Sequence, residues 1–195
     1  MREAMRHGRL IVQEWVSADG YVADAAGDFD FGGSVADWSA ISSDQLRLLD
    51  RVGTIVLGRR TYEMFAAFWP GVDPATEPVA EPLNALPKVV FSETLPTAPW
   101  GDFAPARIDA GDLGERIARL SSATSGDLLV WGSISLAQSL LREGLVDELR
   151  LHVCPVALGA GRSLFPDGVG NTLLTVRDVK AYPNGAYAVT YALRP

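Results

Sequence analysis

Three short apolar runs constrain this chain more than any other feature: Thr54-Ile-Val-Leu57, Lys88-Val-Val-Phe91 and Asp127-Leu-Leu-Val-Trp131. Each stops at a turn residue, respectively Gly58, Ser92 and Gly132. A strand that is apolar on both sides has to be covered on both faces, which is the condition of a parallel sheet between helices. The intervening segments supply those helices. Thr61 to Phe68 reads as helical, and Asp112 to Leu120 places Leu113, Ile117 and Leu120 on one face. Ser133 to Glu143 ends at Gly144, a favourable residue just past a helix end, and Asp44 to Arg51 carries Leu46, Leu48 and Leu49.

The remaining elements complete one α/β pattern. Leu10 to Val16 and Glu148 to Pro155 read as strands, and Ala106 to Asp109 as a weaker one. Leu173 to Leu193 alternates around Pro183-Asn184-Gly185, a hairpin signal. A Gly/Asp/Ala-rich loop runs from Ser17 to Gly33, and Trp69 to Pro87, with five prolines, reads as a long surface loop. At 195 residues, with no repeat and no linker, a single domain is expected over 9–195, behind a short tail at 1–8.

Composition narrows the function. Seventeen Lys and Arg against twenty-four Asp and Glu give a net charge of −7, the wrong sign for a nucleic-acid or anionic-membrane footprint. The single cysteine, Cys154, excludes an intrachain disulfide framework, and with only His7 and His152 beside it the common zinc sets cannot assemble. An oxygen-ligand magnesium or calcium site stays open, but no EF-hand spacing of acids is present and no metal ligand is assigned. The polar start of the chain and the lack of a long apolar run lead to the expectation of a cytoplasmic protein. No G-x-x-x-x-G-K-[ST] loop and no G-x-S-x-G elbow is present. Gly159-Ala-Gly161 begins a dinucleotide fingerprint but lacks its last glycine. His152, between Leu151 and Val153, reads as a packed residue rather than a catalytic one.

Two turns carry the sharper chemistry. Val56-Leu57-Gly58-Arg59-Arg60-Thr61 and Val130-Trp131-Gly132-Ser133 each run from a strand through glycine into a helix. Such turns present free backbone N–H groups at a helix N-terminus, where α/β sheets bind phosphate. Glycine punctuates many such junctions for purely structural reasons. Two in one chain, one with Arg-Arg-Thr, favour an anionic nucleotide. Ser92 after the third strand suits a turn cap and a ligand contact equally. In Ser17-Ala-Asp19-Gly20-Tyr21-Val22, and in the acids Asp24, Asp28, Asp30 and Asp37 that follow, a solvated loop is the plainer reading. A loop closing over a flat polar substrate is the functional one.

These pieces in this order resemble the dihydrofolate-reductase-like superfamily, and most closely the reductase domain of the bifunctional riboflavin-biosynthesis deaminase/reductase. The signposts are Ser17-x-Asp19-Gly20, Leu57-Gly58-Arg59-Arg60-Thr61-Tyr62-Glu63, Val89-Val-Phe-Ser92, Val130-Trp-Gly-Ser133, Leu145-Val-Asp-Glu-Leu149 and Pro155-x-x-Leu158-Gly-x-Gly161. The match as a whole covers the chain from about Arg9 to Leu193. The resemblance implies a three-layer αβα fold on a mixed, mostly parallel sheet of about eight strands with an antiparallel C-terminal hairpin. It also implies NADPH across the carboxyl ends of the strands, a small-molecule substrate, and pairing as a homodimer.

By the same resemblance, Gly58, Arg59, Arg60 and Thr61 form the first phosphate turn, with Arg59 towards the 2′-phosphate. Gly132, Ser133 and Ile134 form the second. Ser92 and Glu93 border the adenosine, and Trp15 and Val22 line the nicotinamide. The chain departs from dihydrofolate reductases proper in reading Trp131-Gly132 for Gly-Gly, and some relatives have an arginine at the position of Ile134. On the first helix Ile41-Ser-Ser-Asp44 offers no clean counterpart of the substrate carboxylate. The cysteines of a deaminase half are missing. The expected activity is an NADPH-dependent reduction of a pterin- or pyrimidine-like compound, similar to that of 5-amino-6-(5-phosphoribosylamino)uracil reductase. Dihydrofolate reduction, or a non-catalytic NADPH-binding module, are the alternatives; no catalytic residue is assigned.

Overall fold

A computed structural model describes residues 8–165 and 172–193. Its strands are β1 (Leu10–Ser17), β2 (Tyr21–Ala23), β3 (Val52–Gly58), β4 (Lys88–Phe91), β5 (Arg107–Asp109), β6 (Asp127–Trp131), β7 (Glu148–Cys154), β8 (Arg162–Ser163), β9 (Thr175–Ala181) and β10 (Tyr187–Ala192). The helices are α1 (Ser39–Leu49), α2 (Arg59–Phe68), α3 (Ala80–Ala85), α4 (Leu113–Ala123) and α5 (Ile134–Arg142). Eight strands form one sheet in the order β5-β4-β3-β6-β1-β7-β10-β9, and β2 pairs with β8 in a small second sheet. Every pairing from β5 to β7 is parallel, and β10 runs antiparallel to both β7 and β9.

Alternation along the strands builds the layers. On one face Val12, Val56, Leu128, Val130 and Leu149 pack against Ile117 and Leu120 of α4 and Ala137 and Leu140 of α5. On the other, Ile11, Ile55, Leu57, Val90 and Leu129 pack against Leu48 and Leu49 of α1, Tyr62 of α2 and Leu83 of α3. The predicted three-layer αβα architecture is the one found. Asp112 caps α4 by accepting from Glu115 N at 3.0 Å. Gly144, at φ +63, lets the chain turn out of α5, with Leu145 N donating to Leu140 O at 3.0 Å.

The proline-rich stretch differs from expectation. It holds α3, because Asn84 ties the segment down: its Nδ2 donates to Trp69 O at 2.9 Å and its Oδ1 accepts from Trp100 Nε1 at 2.7 Å. Pro82 falls in the first turn of α3, where its missing N–H has no helical partner to lose. Residues 1–7 of the expected tail lie outside the described residues, while Gly8 O accepts from Ser121 Oγ at 3.1 Å.

The two ends of the sheet are built differently. At the amino ends, Arg9 and Arg51 bridge Asp127 and Glu148, the first residues of β6 and β7. At the carboxyl ends, β3 and β6 run into glycine turns. Among the described residues no helix is long and apolar enough to cross a membrane.

Candidate cofactor and substrate site

The two glycine turns touch. Gly58 N donates to Ser133 Oγ at 2.9 Å, and Gly132 N donates to Gln13 O on β1 at 3.0 Å. Gly132 and Ser133 both adopt left-handed backbone, at φ +64 and φ +65. For Ser133 this is an uncommon geometry, and its buried hydroxyl, held by Gly58, helps fix it. A Cβ at Gly132 would sit 3.3 Å from Thr61 Cγ2, so Thr61 closes the gap between the turns on that side. Neither α2 nor α5 has a side-chain cap, unlike α4. Their first-turn N–H groups are therefore unspent, and the positive ends of two helices stand beside one seam. Ile134 is the first residue of α5.

Arg59 crosses from α2 to the turn after β4. Its Nε donates to Glu63 Oε1 at 2.7 Å and its Nη1 to Thr94 Oγ1 at 2.9 Å. Arg60 is exposed and has no hydrogen bond or ion pair among the described residues. Ser92, which suited either role from sequence, caps its own turn: Oγ accepts from Leu95 N at 3.1 Å and Thr94 N at 3.3 Å. Glu93 accepts from Gly111 N at 2.9 Å. Both order the rim towards which Arg59 reaches.

Trp15 and Val22 pack on opposite faces of the sheet. Val22 is buried in the α5-side core. Trp15 stacks on His152 with ring centroids 4.3 Å apart and meets Trp38 edge-on at 4.7 Å. Phe29 and Phe31, 4.7 Å apart, extend this aromatic group, and His152 stacks in turn on Tyr182. His152 is the packed residue that its sequence context suggested. Both ring nitrogens lack a partner and burial pushes its pKa down to about 3, so it stays neutral. Below Trp15 a buried amide pair joins β1 to α1, with Gln13 Nε2 donating to Gln45 Oε1 at 2.9 Å. Gln13 Oε1 and Gln45 Nε2 are left without partners.

Asp19 proves to be a clasp. Its carboxylate accepts from Ser17 Oγ at 2.6 Å, Gly159 N at 2.7 Å and Leu158 N at 3.1 Å. The Ser17 hydrogen bond, followed by the two amides, pulls its pKa down to about 2. Two sequence signposts, Ser17-x-Asp19-Gly20 and Leu158-Gly159, are thus halves of one contact. Asp24 and Asp37 likewise hold local turns, accepting from Ala26 N and Ser39 N. Asp28 and Asp30 are exposed.

Glu14 is the residue that the sequence reading passed over. It shares the β1 face of Leu10, Val12 and Val16, beneath α5, and is 4% exposed with Oε1 unpartnered. Burial, opposed in part by Arg162, pushes its pKa up to about 8. Arg162 in turn donates to Ser135 Oγ in the first turn of α5 at 2.8 Å. The available signal was an acid in register with apolar residues on a strand.

Comparison with known proteins agrees with this fold. YyaP of Bacillus subtilis (strain 168) is 26% identical over 196 residues, covering 98% of both chains. A solved structure from Shewanella sp. PV-4, described as a riboflavin biosynthesis protein, superposes with a TM-score of 0.79 at 27% identity, covering 96% of this chain and 99% of that one. Dihydrofolate reductase from Enterococcus faecalis, solved with NADP(H), shares the fold at a TM-score of 0.61 and 13% identity, covering 97% and 98%. The model of the RibD C-terminal domain matches residues 9–188, and the chain belongs to that family, a reductase domain with a dihydrofolate-reductase-like fold.

Proposed function

We propose that this protein is an NADPH-dependent reductase acting on a small, polar, pyrimidine- or pterin-like substrate. The observation that carries this reading is the seam between the two turns, where two helix N-termini without side-chain caps are locked together by the Gly58–Ser133 hydrogen bond. A dinucleotide diphosphate suits that seam. Gly58, Arg59, Arg60 and Thr61 hold it from one side, and Gly132, Ser133 and Ile134 from the other. Arg59 meets the adenosine 2′-phosphate beside Ser92 and Glu93, with Arg60, which has no hydrogen bond or ion pair among the described residues, close by. Trp15 and Val22 border the nicotinamide from the two faces of the sheet. The nicotinamide, when bound, supplies the hydride; the chain's own residues orient both reactants and keep water out.

The substrate face supports a pyrimidine over dihydrofolate. Asp44, the buried acid of α1, is fully engaged by Lys180 Nζ at 2.7 Å, Tyr182 OH at 2.7 Å and Arg47. The test is oxidation of NADPH with a panel of pyrimidines, pterins and dihydrofolate. Turnover with a pyrimidine and none with dihydrofolate is expected. Tight NADPH binding without turnover on any of them would leave a non-catalytic module.

A further inference from the structure

A polar cleft of about 310 Å³ lies between α1 and strands β7, β10 and β9, bordered by Tyr182, which also stacks on His152. Its floor is Arg150, Thr190 and Asp178, in register across three strands, with Ala188 and Lys180 paired in the next row. Its wall is the stripe Asp44, Arg47, Leu48 and Arg51 on and just after α1. Four cations and two acids line it, a local excess of positive charge in a chain whose net charge is −7.

Two of the three acids close by are already taken, while exposed Asp178 faces Arg150 across Thr190 with no hydrogen bond or ion pair among the described residues. Asp44 is held by Lys180, Tyr182 and Arg47, as described above. Glu148 accepts from Arg51 at 2.7 Å on one oxygen and from Arg9 at 2.9 Å on the other. Arg150 is left over. Its ion pair with Glu148 is 3.8 Å long, and its Nε is buried with no acceptor. Burial lowers its pKa, so the charge is desolvated and only partly compensated by protein groups. A guanidinium in that position has unmet donors facing a cavity of suitable size for an oxyanion.

We propose that this cleft is a second anion site, separate from the dinucleotide seam, which binds a phosphate group through Arg150 with Arg51, Lys180 and the Thr190 hydroxyl. The group belongs either to free phosphate or to a phosphate monoester. The dinucleotide reading is not needed for it, since no residue of the cleft belongs to either glycine turn.

The test is titration of the full chain with inorganic phosphate and with ribose 5-phosphate, followed by calorimetry and thermal shift, with and without saturating NADPH. Saturable binding that NADPH does not displace is expected, weakened at least about tenfold by Arg150→Gln and by Lys180→Met. Tighter binding of the monoester would identify the ester as the ligand, and equal binding would identify the free ion. Lys180→Met alters a half-exposed residue and so reports on the cleft even if Arg150→Gln fails to fold. NADPH affinity is expected to be unchanged in both variants. No saturable binding, displacement by NADPH, or wild-type affinity in Lys180→Met would overturn the proposal. Loss of NADPH binding with phosphate binding intact would instead count against the dinucleotide seam alone.

Discussion

The cofactor half and the substrate half of the proposed site are built by opposite means. The cofactor half is backbone: glycine turns, left-handed residues and unspent helix amides, with two exposed arginines at the rim. The substrate half is side chain: Trp15, Trp38, Phe29 and Phe31 packed with His152 and Tyr182 over a buried Gln13–Gln45 pair. A backbone cradle recognises charge and tolerates many neighbours. A packed aromatic group recognises shape and changes with each side chain. The first therefore suits a cofactor common to a family, and the second a substrate particular to this chain.

The largest effect expected from breaking this arrangement comes from Glu14, the acid under the cradle. Burial raises its pKa to about 8 from 4.5, so folding favours the protonated form. The stability tied to that proton is full below pH 4.5 and is lost as pH rises through 8, on the order of 5 kcal/mol at about 1.4 kcal/mol per unit. Glu14→Gln should abolish most of that slope in denaturant unfolding measured from pH 5 to 9. NADPH affinity should also fall above pH 8 in the wild type, as an ionised carboxylate appears under the α5 turn, and not in the variant. Identical slopes in the two proteins would mean that Glu14 is hydrated.

The second effect sits in the substrate half. Trp15→Ala removes a half-buried ring from the stack on His152 and should cost about 3 kcal/mol in unfolding free energy. Turnover should drop further than NADPH affinity. Equal losses of both would merge the two halves into one.

How much of this could be read from sequence follows the same division. The seam was legible because each turn is local: strand, glycine and helix start within a few residues, at Gly58–Thr61 and Gly132–Ile134. The substrate half was not, because it joins residues far apart in sequence, such as Trp15 with His152 and Gln13 with Gln45. Asp19 was noticed for its turn, but its partners Leu158 and Gly159 lie beyond any local pattern. The short strands β2 and β8 pair with each other across a long stretch of sequence, and no local pattern marks either. The prolines hid α3, which exists because Asn84 finds Trp69 and Trp100.

A smaller effect sharpens the cofactor half alone. Arg59→Ala should weaken NADPH by about tenfold, the worth of one charge-assisted hydrogen bond, and leave NADH nearly unchanged. Competitive titration of the two cofactors measures it. Equal affinity of the wild type for both would remove the 2′-phosphate from Arg59.

The seam itself is tested most directly at Gly58. Gly132 is a poor place to ask, because its φ of +64 and the 3.3 Å approach to Thr61 strain any substitution whether or not a ligand binds there. Gly58 has φ −78, and a Cβ there would make ordinary contacts at 3.6 Å and 3.7 Å with Ser133 and 3.9 Å with Leu136. Gly58→Ala should thus fold with an unchanged melting temperature while placing a methyl between the two turns. NADPH titration of that variant beside the wild type, with melting curves of both without ligand, is the decisive measurement. Unchanged melting with NADPH binding weakened at least about tenfold is the predicted result. Unchanged melting with wild-type NADPH affinity would contradict the account.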